Sequence, residues 1–386
     1  MRASFVSSLR SARPRAVAPR PYLIPHKQTR QVSLKPFLLP PAMFCGLLGA
    51  LWVWKCTMMV VFQNKIIYMP GLPPNARSET IEDYEAQCYG IKWREEKIVA
   101  ADNTKLSLCV ADVVTGGPPG HSSSSPTEGE EPIPVYILYF QGNASSMPPR
   151  LPDLSYVLRS LRDRNTKAHY AITMVCLNYR GYWRSKGRPS EKGINKDTEA
   201  AAQWIAERCS KNGGKPPVFL LWGQSIGCGF ATNLAISPDF PKWLRLHAMI
   251  LETPFHSIRF MLATLYPEKW VPYKHLWPFL RNHLDNWKNL GILAEKSKAA
   301  NMTPPHVFIL AAGRDELVPA TQIDMLYQRC VDLGIPVERA SVPKAYHNES
   351  MIRVEGRHAV TVAIETEIAE ALKSEGRANQ EQSPTG

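Results

Sequence analysis

Ser225, Asp315 and His347 are the residues of this 386-residue chain whose types and order could carry out nucleophilic acyl chemistry. Ser225 is the centre of Gly223-Gln224-Ser225-Ile226-Gly227, which follows the apolar run Val218–Trp222 and opens a helical stretch, Ile226 to Ile236. A serine hydroxyl is a weak nucleophile at neutral pH unless a base adjoins it. A sharp strand-to-helix turn exposes such a hydroxyl above the sheet, where the N–H groups of the helix start favour developing negative charge. Gly223 and Gly227 leave out the Cβ atoms that would crowd a turn this tight.

The turn implies a base and an acid further along, each in a loop after a strand, in the order serine, acid, histidine. The run Val307–Ala312 is followed by Gly313-Arg314-Asp315, and Val337–Val342 by Ala345-Tyr346-His347. His347 is predicted to take the Ser225 proton, with Asp315 fixing its tautomer and stabilising its charged form. Glu316 is the rival acid, one step further from its strand. His358 falls at the start of a helix, and His256, His275 and His283 lie in the stretch before Val307. The oxyanion formed on attack needs two N–H donors. One is expected from Ile226, the other from the loop Gln141-Gly142-Asn143, with Asn143 the first choice and Gly142 the alternative. Two glycosylation sequons, at Asn143 and Asn348, fall inside this proposed site and are expected to stay unused, because a glycan there would block it.

Other chemistries find little support. The eight cysteines are scattered, with no CxxC and no metal-type spacing to histidines, which fits isolated core thiols. There is no HExxH, GxGxxG or P-loop, so neither a metal nor another cofactor is expected. The formal charge is +12, but residues 1–41 hold eight Lys/Arg and no acid; removing those eight from 46 leaves 38 basic against 34 acidic residues, or +4. The excess belongs to a tail and not to a folded face, which argues against nucleic-acid binding.

The elements that must position these residues follow from the hydrophobic pattern. Short apolar runs (Val135–Phe140, Ile172–Leu177, Val218–Trp222, Ala248–Leu251, Val307–Ala312, Val337–Val342) alternate with helical stretches. One helix is predicted to start at Asp197 as its cap, bury Ala201, Trp204 and Ile205, and stop at Gly213-Gly214; the last has Val360, Ile364, Ile368 and Leu372 on one face. That alternation predicts an α/β fold with a mostly parallel sheet covered by helices on both faces. Two strand-like stretches, Ile91–Val99 and Lys105–Val113, precede it around the turn Asp102-Asn103. The hydrolase-type domain is expected over 63–372, interrupted by a disordered loop at 114–134 and a lid-like insertion at 255–303. The insertion carries Tyr266, Trp270, Tyr273, Trp277, Phe279 and Trp287, which suit an acyl substrate. Residues 373–386 are predicted to be a disordered end.

Residues 1–41 read as a basic disordered tail and 42–62 as a transmembrane anchor, since about 20 apolar residues cross a bilayer. Lys55 interrupts the run, so the span could slide to Pro36–Trp54. Basic residues on the N-terminal side place the tail in the cytosol, with the body across an endoplasmic-reticulum-type or other endomembrane. The Arg-, Ser- and Pro-rich, acid-free tail also fits a mitochondrial presequence.

Several motifs together resemble a known family: Phe140-Gln-Gly-Asn-Ala144, Asn178-Tyr-Arg-Gly-Tyr182, Gly187-Arg-Pro-Ser-Glu191, Gly223-Gln-Ser-Ile-Gly227, Glu252-Thr-Pro-Phe255 and Tyr346-His-Asn-Glu-Ser350. In this order they resemble the bud-emergence (Bem-type) branch of the α/β-hydrolase-domain proteins, over about Phe62 to Leu372. The resemblance implies a membrane-anchored serine hydrolase with Ser225, Asp315 and His347 as its triad. It implies an acyl ester or thioester substrate, on a small molecule, a lipid or an acylated protein. Two positions depart from the pattern: Gln141 stands where the branch usually has His, and Trp183 where it has Gly, which is expected to reshape the entrance. Two other functions share these motifs, a catalytically silent scaffold in polarised growth and an acyltransferase using the same acyl-enzyme.

Overall fold

The computed structural model describes residues 35–115, 132–164, 170–211, 216–268 and 272–381. The chain divides into two units, Met1–Val53 and Trp54–Gly386. Helix α1 (Lys35–Val61) begins in the first and starts earlier than the expected anchor, taking in residues 35–41 of the expected tail. Pro40 and Pro41 lie inside it, as its sixth and seventh residues, and each lacks the N–H that would bond the carbonyl four residues back. The span Phe37–Val61 is long and apolar enough to cross a membrane, with a mean hydropathy of 1.7. Lys55 does not stand alone against this apolarity: its ammonium lies 4.7 Å from the centre of the Tyr273 ring. The rest of the expected tail, residues 1–34, lies outside the described residues.

In the second unit, strands β1 (Trp93–Val99), β2 (Lys105–Val114), β3 (Ile133–Phe140), β4 (Tyr170–Asn178), β5 (Val218–Gln224), β6 (Leu246–Glu252), β7 (His306–Ala312) and β8 (Val337–Val342) form one sheet. Its order is β1-β2-β4-β3-β5-β6-β7-β8, with β2 antiparallel to both β1 and β4 and every other pair parallel. The β1–β2 turn lies at Asp102-Asn103, where Asn103 takes a left-handed φ of 61°.

Central strands are apolar on both faces because helices cover both. Val218, Leu220 and Trp222 of β5 join the core made with α3 (Leu151–Asp163) and α9 (Val354–Glu381). Phe219 and Leu221 join the opposite core, made with α4 (Glu191–Lys211), α5 (Ile226–Ala235), α7 (Asn286–Ala299) and α8 (Ala320–Asp332). All eight cysteines are free thiols, seven of them buried.

Four expectations shift. The helix expected to begin at Asp197 begins six residues earlier, at Glu191. Asp197 is buried mid-helix, accepting the Arg180 backbone N–H at 2.8 Å and its guanidinium at 2.7 Å, so a tertiary ion pair fixes it instead of a cap. Helix α9 continues to Glu381, past Lys373, where loss of apolar periodicity suggested an end. Of the loop expected at 114–134, both edges are strand and residues 116–131 lie outside the described residues. Trp183 is 3% exposed in the core with Met147 and Leu151, and its indole N–H donates to the Glu79 carbonyl at 2.7 Å, so it packs the interior instead of the entrance.

Candidate active site

Ser225 links β5 directly to α5, and this connection forces its backbone into a left-handed conformation, φ 51° and ψ −115°. A non-glycine residue held so costs roughly 1–3 kcal/mol and needs surroundings that determine it. Its N–H donates to the Glu252 carbonyl of β6 at 2.8 Å, and its carbonyl accepts the Cys228 N–H at 2.9 Å. A Cβ on Gly223 would sit 2.5 Å from the Gly227 carbonyl oxygen. One on Gly227 would sit 2.2 Å from the Phe140 carbonyl oxygen, at the end of β3. Both glycines are therefore required by close backbone approach.

Strands far apart in sequence deliver the other two side chains. His347 Nε2 lies 2.8 Å from Ser225 Oγ, and its Nδ1 lies 2.8 Å from Asp315 Oδ2 and 3.0 Å from Oδ1. Asp315 Oδ1 also accepts the N–H groups of Leu317 at 3.0 Å and Val318 at 2.7 Å, which aim the carboxylate. Both side chains are buried, so solvent competes little for these bonds. Glu316 does something else: its Oε2 accepts the His347 backbone N–H at 3.0 Å and so holds the loop that carries the ring. His358, His275 and His283 are exposed, and His256 is stacked on Phe260 and Trp287.

The loop after β3 faces the serine. Ile226 opens α5, so its N–H is among the first-turn donors without an intrahelical partner. The Gly142 N–H is turned to Gln224 Oε1 at 3.3 Å, and Asn143 next to it is exposed. Left-handed conformations at Ala144 and Ser145 fold the loop back. Backbone bonds hold it there: Tyr179 OH donates to the Gln141 carbonyl at 2.8 Å, and the Ala144 and Ser145 N–H groups donate to Tyr68 and Leu72 carbonyls at 3.0 and 2.5 Å. Tyr68 and Leu72 belong to and follow the short helix α2 (Gln63–Tyr68). The departure from His at position 141 thus leaves the loop anchored by its backbone.

Sequence reasoning missed a buried network behind the turn. Arg150 donates to Glu252 Oε1 at 2.5 Å and to the Tyr139 hydroxyl at 3.0 Å. Tyr139 OH in turn donates to Gln224 Oε1 at 3.2 Å, and the Trp222 indole to Glu252 Oε2 at 3.3 Å. Burial holds the Tyr139 phenol well above its ordinary pKa, so it stays a donor. Burial is the largest influence and works against the Arg150 charge, but Glu252, Tyr139 and Asp153 together outweigh it and the net shift is upward. Glu252 lies in a quoted motif; its partner Arg150 had no sequence signal.

The insertion forms α6 (Ile258–Leu265), a 3-10 segment (Pro272–Phe279) and α7. Its aromatics pair among themselves and with cations: Tyr266 on Tyr273 at 5.1 Å, Trp277 under Arg259 at 3.9 Å, Trp287 under Arg329 at 3.7 Å. Trp270 lies outside the described residues. An apolar cavity of about 150 Å³ separates α2 from α6, lined by Ile66, Ile67, Met261, Leu262 and Leu265 among others. Among the described residues no cluster of side chains suits a metal ion.

No protein-family model matches the chain. It is 28% identical to protein bem46 of Schizosaccharomyces pombe over 228 residues, 58% of this chain and 65% of that one. It is 34% identical to lysophosphatidylserine lipase ABHD12 of Danio rerio over 184 residues, 47% of this chain and 44% of that one. The chain thus spans less than two thirds of the length of either relative. The fold is that of an alpha-beta hydrolase from Vibrio vulnificus, with a TM-score of 0.54 and 17% identity over 78% of this chain and 91% of that one. The chain has the α/β-hydrolase fold, and in sequence it is similar to the Bem-type branch. An α/β-hydrolase sheet places a strand-to-helix turn and two post-strand loops at one edge, which is where Ser225, Asp315 and His347 stand.

Proposed function

We propose that this protein hydrolyses carboxylic esters or thioesters of acyl or lipid substrates through an acyl-enzyme on Ser225. One observation carries the reading: a continuous relay from Ser225 Oγ to His347 Nε2 at 2.8 Å and from Nδ1 to Asp315 at 2.8 Å. Ser225 Oγ attacks the carbonyl carbon while His347 Nε2 takes its proton, and Asp315 stabilises the imidazolium that results. The N–H of Ile226 and that of Asn143 receive the oxyanion; Gly142 is the lesser choice because its N–H is committed to Gln224. Collapse of the adduct expels the alcohol or thiol, which leaves with the proton from His347. A water, activated by the same imidazole, then attacks the acyl-Ser225 carbonyl and regenerates the hydroxyl.

The Danio rerio relative is named as a lipase of a lysophospholipid, which supports a lipid or acyl ester here. The apolar helix supports a single-pass anchor, and the eight basic residues and no acid in residues 1–41 support a cytosolic N-terminus in an endomembrane, with a mitochondrial one as the alternative. Under this orientation the tail of intact vesicles is cut by protease added on the cytosolic side.

The test of the chemistry is intact-protein mass spectrometry after a fluorophosphonate. One adduct is expected, on Ser225, and none in Ser225→Ala. Full ester turnover by Ser225→Ala would sink the assignment.

A further inference from the structure

The insertion lies against the last turns of α1. The Lys55 ammonium is 4.7 Å from the centre of the Tyr273 ring, and the Arg281 guanidinium donates to the Val60 and Val61 carbonyls at 3.0 Å each. Gln63, the first residue of α2, fastens the junction. Its Nε2 donates to the Phe279 carbonyl at 3.1 Å, and its Oε1 accepts the Arg281 N–H at 2.7 Å. From Lys55 to Val61 a helix rises about 9 Å. The stretch from Tyr273 to Arg281 therefore runs beside the final part of the apolar span Phe37–Val61 instead of standing clear of it.

The side chains around this junction are apolar and open. Ile66, Leu265 and Phe279 line the one cavity of about 150 Å³ between α2 and α6, yet they are 50%, 55% and 60% exposed. They therefore share one face, around the mouth of that cavity. Phe62, Phe260 and Trp277, on or beside the same elements, are exposed as well. Apolar side chains clustered this way on a surface mark a contact with something other than water. Cations accompany them: Lys65, Arg259, Lys274 and Arg281 outnumber a single acid, Glu268, among the described residues of α2 and 258–283. The Arg259 guanidinium lies 3.9 Å from the centre of the Trp277 ring. Trp, Phe and Leu interleaved with Lys and Arg suit the boundary between lipid headgroups and acyl chains.

We infer that the face made by α2, α6 and the 3-10 segment is a second membrane contact, seated in the headgroup–acyl boundary of the bilayer that α1 enters. The inference rests on the anchor reading and not on the hydrolase chemistry. Hydrocarbon covers Leu265 and Phe279 and reaches the mouth of the apolar cavity, while the cations meet lipid phosphates. Lys55 fits the same arrangement, because Tyr273 receives its charge within the stretch of span that the insertion flanks.

The test uses the full-length protein in nanodiscs of phosphatidylcholine and phosphatidylserine, with a fluorophore on one introduced cysteine. Cys45→Ser removes the exposed native thiol, and the other seven are buried. Leu265→Cys and Phe279→Cys carry the label at exposed positions, where the fold tolerates it. Val362→Cys is the reference, 39% exposed on α9, which covers the opposite face of the sheet. Acyl chains bearing bromine are expected to quench the label at positions 265 and 279 and to leave 362 bright. Iodide in the water is expected to do the reverse, with a quenching constant several-fold smaller at 265 and 279 than at 362. Equal iodide quenching at all three positions overturns the inference and leaves the anchor standing. Shielding of 265 and 279 from both quenchers overturns it too, since another protein then covers the face. A chain that stays out of the nanodiscs overturns anchor and contact together. Fluorophosphonate labelling of Ser225 is scored separately, so a failure of the hydrolase reading leaves the quenching result intact.

Discussion

Arg150 places its guanidinium 2.5 Å from Glu252 Oε1, and the backbone carbonyl of that same Glu252 receives the Ser225 N–H. An ion pair thus lies directly behind the strained residue at the centre of the site. Glu252 is fully buried, so removing its partner strands a charge in a low-dielectric interior. Arg150→Met is expected to lower unfolding free energy by about 3–5 kcal/mol, measured by denaturant unfolding of residues that retain their secondary structure. Arg150→Met combined with Glu252→Gln should recover much of the loss, since no unpaired charge then remains. Additive losses in the double variant would contradict the pairing.

Asp315 and Glu316 are neighbours with separate tasks. Asp315 reaches the His347 ring, whereas Glu316 receives the His347 backbone N–H. Under the proposed mechanism Asp315→Asn favours the wrong tautomer and is expected to lower kcat about 10⁴-fold, as the corresponding change does in a well-studied protease triad. Glu316→Gln keeps an acceptor oxygen for the same N–H and should cost less than about tenfold. Steady-state kinetics on one ester settles the order of the two effects.

Gly227 has no room for a side chain, because the added Cβ would stand 2.2 Å from the Phe140 carbonyl oxygen and 2.8 Å from that of Gln141. Those atoms are backbone of β3 and its loop, and they cannot swing aside. Gly227→Ala is expected to destabilise by more than about 4 kcal/mol and to abolish fluorophosphonate labelling. Gly71→Ala is the control, since nothing lies within 4 Å of its Cβ position, and its Tm should match the wild type.

His247 in β6 supplies an acid-sensitive element. Its Nδ1 accepts the Phe219 N–H of β5 at 3.2 Å, which requires that nitrogen to be unprotonated. Burial, with a smaller contribution from Arg245, lowers its pKa from the ordinary 6.5 to about 4. The unfolded chain therefore takes up a proton near pH 6.5 that the folded chain refuses until about pH 4. The stability this group contributes is complete above 6.5 and drains away as pH falls towards 4. Subtracting the pH–stability curve of His247→Gln from that of the wild type should leave a slope confined to that window. A flat difference would show that folding leaves the His247 pKa where it is in the unfolded chain.

The sequence by itself determined the strands, their alternation with helices and the positions of Ser225, Asp315 and His347. Those features are local: a run of apolar residues, a pair of glycines around a serine, a polar residue just past a strand. It could also assign Gly223 and Gly227, whose necessity comes from the turn they flank. Tertiary structure alone decided which distant groups became partners. Nothing near Arg150 in the chain points to Glu252, 102 residues away, and nothing near Tyr68 points to the loop at Ala144. Asp197 read as a helix cap until folding brought Arg180 against it. Gln141 read as a polar loop residue until burial left its amide without a partner. Periodicity records how a segment meets the core, since that choice repeats every turn or every second residue. A single buried hydrogen bond has no period, and its two ends meet only when the sheet order sets them side by side.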